Sequence, residues 1–227
     1  MSQLVTVTEK DLYTLIQMDD GKANALSFAM LEQLNGALDQ AAQAAKVVVL
    51  AGRQGKFSAG FDLSVMGQGG EAMIDLLRNG AGLSRRLLNF ETPVILAVSG
   101  HALAMGALLL LSADYRIGVD GNYKLGLNEV AIGMTLPHFG VELARARLSK
   151  RHLNTAVGLA KIYDPSGAVA AGYLDEAVAE DQLLPRAEAL AEQLAGLDMQ
   201  AHKNTKERVR SELNAALDVA LQTELGT

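Results

Sequence analysis

GHALAMGALLLLSADYRI, residues 100–117, is the stretch whose reading decides the fold. A glycine and a histidine open it, and small or apolar residues then run from Ala102 to Leu111, with no charge until Asp114. Upstream the neutral run begins after Pro93, so residues 94–113 contain no Asp, Glu, Lys or Arg. About 20 apolar residues suffice to cross a bilayer. However, Gly100, His101 and Gly106 interrupt this run, Ser99 and Ser112 are polar, and no Lys/Arg cluster flanks it; a membrane span would carry such anchors. The run is therefore read as a buried strand VILAVS, a glycine turn GHALAM and a short buried helix ALLLLSA.

The same grammar recurs on either side. LVTVT and LYTLIQM, with EKD between them, predict a β-hairpin. After the loop DDGKANALS, Met30, Leu31, Leu34, Leu38, Ala41 and Ala45 fall near helical spacing. That helix feeds KVVVLAG, an apolar run of the kind found in strands covered on both faces. A long loop, RQGKFSAGFDLSVMGQGGEA, leads to a helix over about 73–90, then to TPVILAVSG and, past the opening stretch, to the strand DYRIGV. Buried strands alternating with helices predict an α/β core with parallel connections. Ligands in such folds sit at the carboxyl ends of the strands, here AGRQGKFSAGFD, SGHALAMGA and the loop before LGLNEV. Beyond Pro137 the pattern turns helical. Residues 1–196 are expected to form the core, and 197–227 a helical tail, read as one polar-rich helix packing on the core or on another subunit.

Composition narrows the function classes. With 227 residues, 49% hydrophobic and 20% charged, the chain can bury a core without staples. There is no cysteine, which excludes disulfides, thiolate zinc sites and a cysteine nucleophile. A formal charge of −6 argues against duplex nucleic acid. The four histidines, His101, His138, His152 and His202, are scattered without metal-ligand spacing, so no metal is expected. The N-terminus MSQLVTVTEKDLY lacks a basic leader followed by an apolar run, and a cytoplasmic location is expected.

FSAGFD and GHALAMGA each bring backbone N–H groups to a strand end, and the second opens a helix. Two N–H groups aimed at one point stabilise negative charge on a carbonyl oxygen. Taken in order, KANALSFAMLEQL, FSAGFDL, GHALAMGALLLLSADYRI, YKLGLNEVAIGMTLPHF, AVAAGYLDEAV and NTKERV resemble the crotonase superfamily of enoyl-CoA hydratases and isomerases. The resemblance covers most of the chain. It implies a spiral of ββα turns followed by a C-terminal helical region, a homotrimer or dimer of trimers, an acyl-CoA thioester as ligand, and no cofactor beyond the coenzyme A of the substrate.

Carried over by position, the resemblance implies oxyanion donors at Ala59 and Met105. Methionine departs from the family's usual glycine there, but any residue except proline keeps its backbone N–H. Hydratases of the family use two glutamates. The first position is Leu108 here, and the second is Glu129. The pattern is closer to Δ3,Δ2-enoyl-CoA isomerases, which also carry leucine at the first position. A single carboxylate suffices to move a proton from C2 to C4, with Leu108 and Phe139 as an apolar wall that excludes water. The alternatives are a hydratase, decarboxylase or thioesterase in the same pocket, or a silent acyl-CoA binder. Lys22, Ala23, Lys56, Phe57, Phe61 and Leu63 are expected to contact coenzyme A, and Lys203, Lys206 and Arg208 to lie where the tail approaches it. His101 and His138 are further candidate bases, and Asp62 a turn or cap residue.

Overall fold

The computed structural model describes residues 2–226. Its chain begins with an antiparallel hairpin of β1 (Val5–Glu9) and β2 (Tyr13–Met18), registered Val5 to Met18 through Glu9 to Thr14. Helix α1 (Phe28–Ala44) starts at Ser27, whose side chain accepts the Met30 N–H at 3.2 Å, and ends at Ala45 in the left-handed region. Three similar units follow. Each places one strand in a large sheet, a short second strand in a small sheet, and then a helix. The first is β3 (Val47–Ala51), β4 (Gly55–Ser58), then α2 (Leu63–Met66) and α3 (Gly70–Leu88). The second is β5 (Val94–Val98), β6 (Gly100–Leu103) and α4 (Met105–Leu110). The third is β7 (Tyr115–Val119), β8 (Leu125–Gly126) and α5 (His138–Arg147). Helices α6 (Lys150–Val157) and α7 (Pro165–Ala171), strand β9 (Glu176–Val178), and helices α8 (Leu183–Ala195), α9 (Met199–Val209) and α10 (Ser211–Leu225) complete the chain.

The large sheet runs β1-β2-β3-β5-β7-β9 and is parallel apart from its first pair; the small sheet, β4-β6-β8, is parallel throughout. This is the expected α/β spiral of ββα units with C-terminal helices. The central strands read as unbroken apolar runs because both faces are covered. Val48, Leu50, Val94, Leu96 and Val98 face the main core under α1, α3 and α4, whereas Val47, Val49, Ile95 and Ala97 pack against Leu183, Ala187, Leu190 and Ala191 of α8.

The opening stretch differs from its sequence reading in one respect. Gly100–Leu103 is not a turn but strand β6, paired with β4 on one side and β8 on the other. At the start of that pairing β4 and β6 approach so closely that a Cβ on Gly100 would lie 2.1 Å from the carbonyl carbon of its partner Gly55, which only glycine avoids. Helix α4 is six residues long, and no described helix is long and apolar enough to cross a membrane. The tail also differs: it is two helices, broken at Arg210, whose side chain turns inward to Asp114 and to the Leu88 carbonyl. Helix α10 packs on α5 and α3 of its own chain.

Candidate active site

The KANAL segment organises the first glycine turn. Asn24 is fully buried at φ 51°, and its Nδ2 donates to the Met18 and Phe57 carbonyls at 3.1 and 3.2 Å. Ser58 Oγ donates to the Asn24 carbonyl at 2.8 Å. The Leu26 N–H donates to Gly60 O and the Asp62 N–H to Leu26 O, at 2.8 and 3.3 Å. Asp62 in turn caps α2, accepting the Ser64 N–H at 2.9 Å. The second turn lies between β6 and α4. Ala104 takes φ 49° and ψ −125°, a sparsely populated backbone state of the kind that concentrates at functional sites. The turns touch: a Cβ on Gly60 would come 2.8 Å from Ala104 Cβ and 3.3 Å from Met105 N.

The donor pair is not the one expected. The Ala59 N–H is already spent on the Ala23 carbonyl at 3.0 Å, so Ala59 has no free donor. Two residues on, the Phe61 N–H has no acceptor within the described chain, and neither has the Met105 N–H at the first position of α4. A helix start leaves its first N–H groups unpaired. Phe61 and Met105, on the two abutting turns, are therefore the available donors.

Both turns open on a cavity of about 190 Å³, lined by Ala59, Phe61, Leu63, Met66, Leu77, Ala104, Met105, Leu108, Asn128, Glu129, Ile132, Met134, Pro137 and Phe139. Glu129 follows β8 and is the only ionisable side chain in that lining. It is 7% exposed, its Oε2 is buried without a partner, and Leu108 and Phe139 are each 1% exposed. Burial pushes the Glu129 carboxyl above the ordinary glutamate range, with a backbone hydrogen bond partly opposing the shift.

The cavity thus gathers Ala59, Phe61, Leu63, Met105, Leu108, Glu129 and Phe139 from the sequence reading, while Lys22, Ala23, Lys56 and Phe57 fall outside it. Phe57 is fully buried in the main core, so its ring cannot touch a coenzyme. Ala23 acts through its carbonyl, on Ala59. Lys22 is exposed, and Lys56 lies on β4 beside His101. His101 Nδ1 accepts the Lys124 N–H at 3.0 Å, and its pKa is lowered by burial and by Lys56 and Lys124, so the ring is committed elsewhere. His138 is exposed at the start of α5, and its backbone N–H donates to Glu224 of α10 at 2.7 Å. Lys206 is 8% exposed and bonded to Asp114 and the Phe90 carbonyl, ahead of β7 and β5, so it faces away from the cavity. Lys203 is paired with Glu91. Sequence reasoning missed Met66, Leu77, Asn128, Ile132, Met134 and Pro137. Their spacing marks helices or loops, and only packing decides that they share a cavity.

The family model described as enoyl-CoA hydratase/isomerase matches residues 9–227. A probable enoyl-CoA hydratase of Rhizobium meliloti is 30% identical over 203 residues, 88% of this chain and 78% of the relative. Among solved structures, an enoyl-CoA hydratase/isomerase family protein from Pseudomonas syringae superposes with a TM-score of 0.96 at 46% identity, covering 98% of this chain and 97% of that one. The human mitochondrial Δ3-Δ2-enoyl-CoA isomerase superposes with a TM-score of 0.93 at 26% identity, covering 99% and 90%.

Proposed function

The chain belongs to the enoyl-CoA hydratase/isomerase family, and from that premise we propose that it converts 3-enoyl-CoA to 2-enoyl-CoA with Glu129 as its single acid–base. The observation that carries this reading is the lone carboxylate: among the cavity's lining residues only Glu129 can exchange a proton.

In the proposed mechanism the thioester oxygen rests between the Phe61 and Met105 N–H groups. Glu129 removes a proton from C2. The electron pair left behind delocalises into a dienolate whose charge gathers on the thioester oxygen, where the two donors stabilise it. The carboxylic acid so formed returns the proton at C4, leaving the double bond between C2 and C3. The walls of Leu108 and Phe139 keep water from the dienolate and raise the affinity of Glu129 for its proton. The reaction draws on no group beyond the side chain, the two N–H groups and the coenzyme A carried by the substrate.

Hydration is the second reading, favoured by the name of the Rhizobium relative. Adding water across C2–C3 calls for one group to activate the water and another to deliver a proton. Leu108 leaves the cavity with only one.

The test is Glu129→Gln, which keeps the shape and removes the base. Loss of a general base typically costs about 10²–10⁴-fold. The expected result is a fall of that order in kcat for 3-enoyl-CoA, with acyl-CoA binding retained. Full activity in the variant would remove Glu129 from the mechanism.

A further inference from the structure

Helix α3 runs behind the cavity, and Gly80 on it is bare for a steric reason. A Cβ there would lie 2.3 and 2.4 Å from Phe61 Cζ and Cε1, and 3.4 Å from Met105 Cε. No Cβ tolerates an aromatic ring at that distance. The Phe61 ring therefore occupies the volume that a side chain at position 80 would otherwise fill. The ring lines the cavity, whereas Gly80 is buried behind it and absent from the lining. The mouth is marked by Leu63 and Ile132, 74% and 54% exposed, and the closed end by fully enclosed Met105, Leu108 and Phe139.

The enclosed space is small. Pockets for drug-sized ligands run to about 300–1,000 Å³. Building on the acyl-CoA reading above, we propose that the Phe61 side chain, seated on Gly80, sets the limit on acyl-chain length and restricts the protein to short-chain acyl thioesters. Phe61 then has two separable jobs. Its backbone N–H serves the thioester oxygen, and its ring walls the acyl space on the α3 side. Removing the ring leaves the N–H in place and extends the cavity to the bare face of α3.

The experiment measures binding of hexanoyl-CoA and dodecanoyl-CoA by calorimetry. These thioesters are saturated, so their binding does not depend on proton transfer. The wild type is expected to prefer hexanoyl-CoA by at least about ten-fold, the scale on which an ill-fitting methylene is rejected. Phe61→Ala should collapse that ratio toward unity or invert it, and Phe61→Leu should move it the same way by less, with the core still packed. Gly80→Ala should drive the ring into the cavity and weaken hexanoyl-CoA binding. A wild type indifferent to chain length, or a Phe61→Ala variant with the wild-type ratio, would overturn the proposal. Should the length preference hold while 3-hexenoyl-CoA goes unisomerised, the isomerase reading fails and this one stands. Absence of binding to either thioester would overturn both.

Discussion

A glutamate whose Oε2 has no partner, walled by leucine and phenylalanine, holds its proton more firmly than one in water. The consequence for stability has a definite sign. Burial raises the folded-state pKa of Glu129 above its unfolded value. The stability this lends is fully present below the unfolded value, about 4.3, and is lost as pH rises through the higher folded value. Glutamine carries no charge to desolvate. Glu129→Gln should therefore melt above the wild type at neutral pH, and the two melting curves should converge below about pH 4. A melting temperature lowered by the substitution at neutral pH would contradict the burial cost. Sequence alone pointed to Glu129, Leu108 and Met105 through the words around them. It misplaced the first donor by two residues, because the choice between Ala59 and Phe61 rests on which N–H the Ala23 carbonyl has already taken. It also placed Phe57 at the ligand, where alternation along a four-residue strand does not say which face is inward.

At the scale of elements, the tail is tied to the sheet by buried charge. Asp114, just ahead of β7, accepts from Lys206 of α9 at 2.7 Å and from Arg210 at 2.8 Å, and its Oδ2 also accepts the Val94 N–H at 2.8 Å. Lys206 and Arg210 are 8% and 7% exposed. Burial, and then the neighbouring Arg210 and Arg147, offset only in part by Asp114, bring the Lys206 pKa down to about 8. Removing one partner of a buried pair strands the other, at a cost of about 3–5 kcal/mol. Asp114→Asn should lose stability on that scale in urea unfolding, and a change below about 1 kcal/mol, typical of exposed pairs, would show the network to be dispensable. The long strands β3, β5 and β7 were legible because burial on both faces writes an apolar run into the sequence. The short strands β4, β6 and β8 were not, since four, four and two residues pair only with one another, far apart in sequence. The break at Arg210 was equally hidden, because nothing local to α9 and α10 shows that an arginine must turn inward.

Across the whole molecule, the Asp114 network and the Glu129 cavity stand at opposite ends of the parallel strands. The Asp114 network closes the amino ends of β5 and β7, and the cavity with Glu129 opens where β4 and β6 end and after β8. The strands between them hold the two glycine turns against each other, which sets the unpaired Phe61 and Met105 N–H groups on abutting turns at the cavity; in the proposed mechanism these are the oxyanion donors. Such preorganisation is what lets backbone N–H groups stabilise a developing charge. The proposed reaction rests on the single carboxylate in the cavity lining. The most direct measurement is to incubate the protein separately with 3-enoyl-CoA and with 2-enoyl-CoA and follow the absorbance of the conjugated thioester. A single acid–base at Glu129 predicts a rise with the first and little change with the second. A loss of absorbance with the second, and no rise with the first, would contradict it.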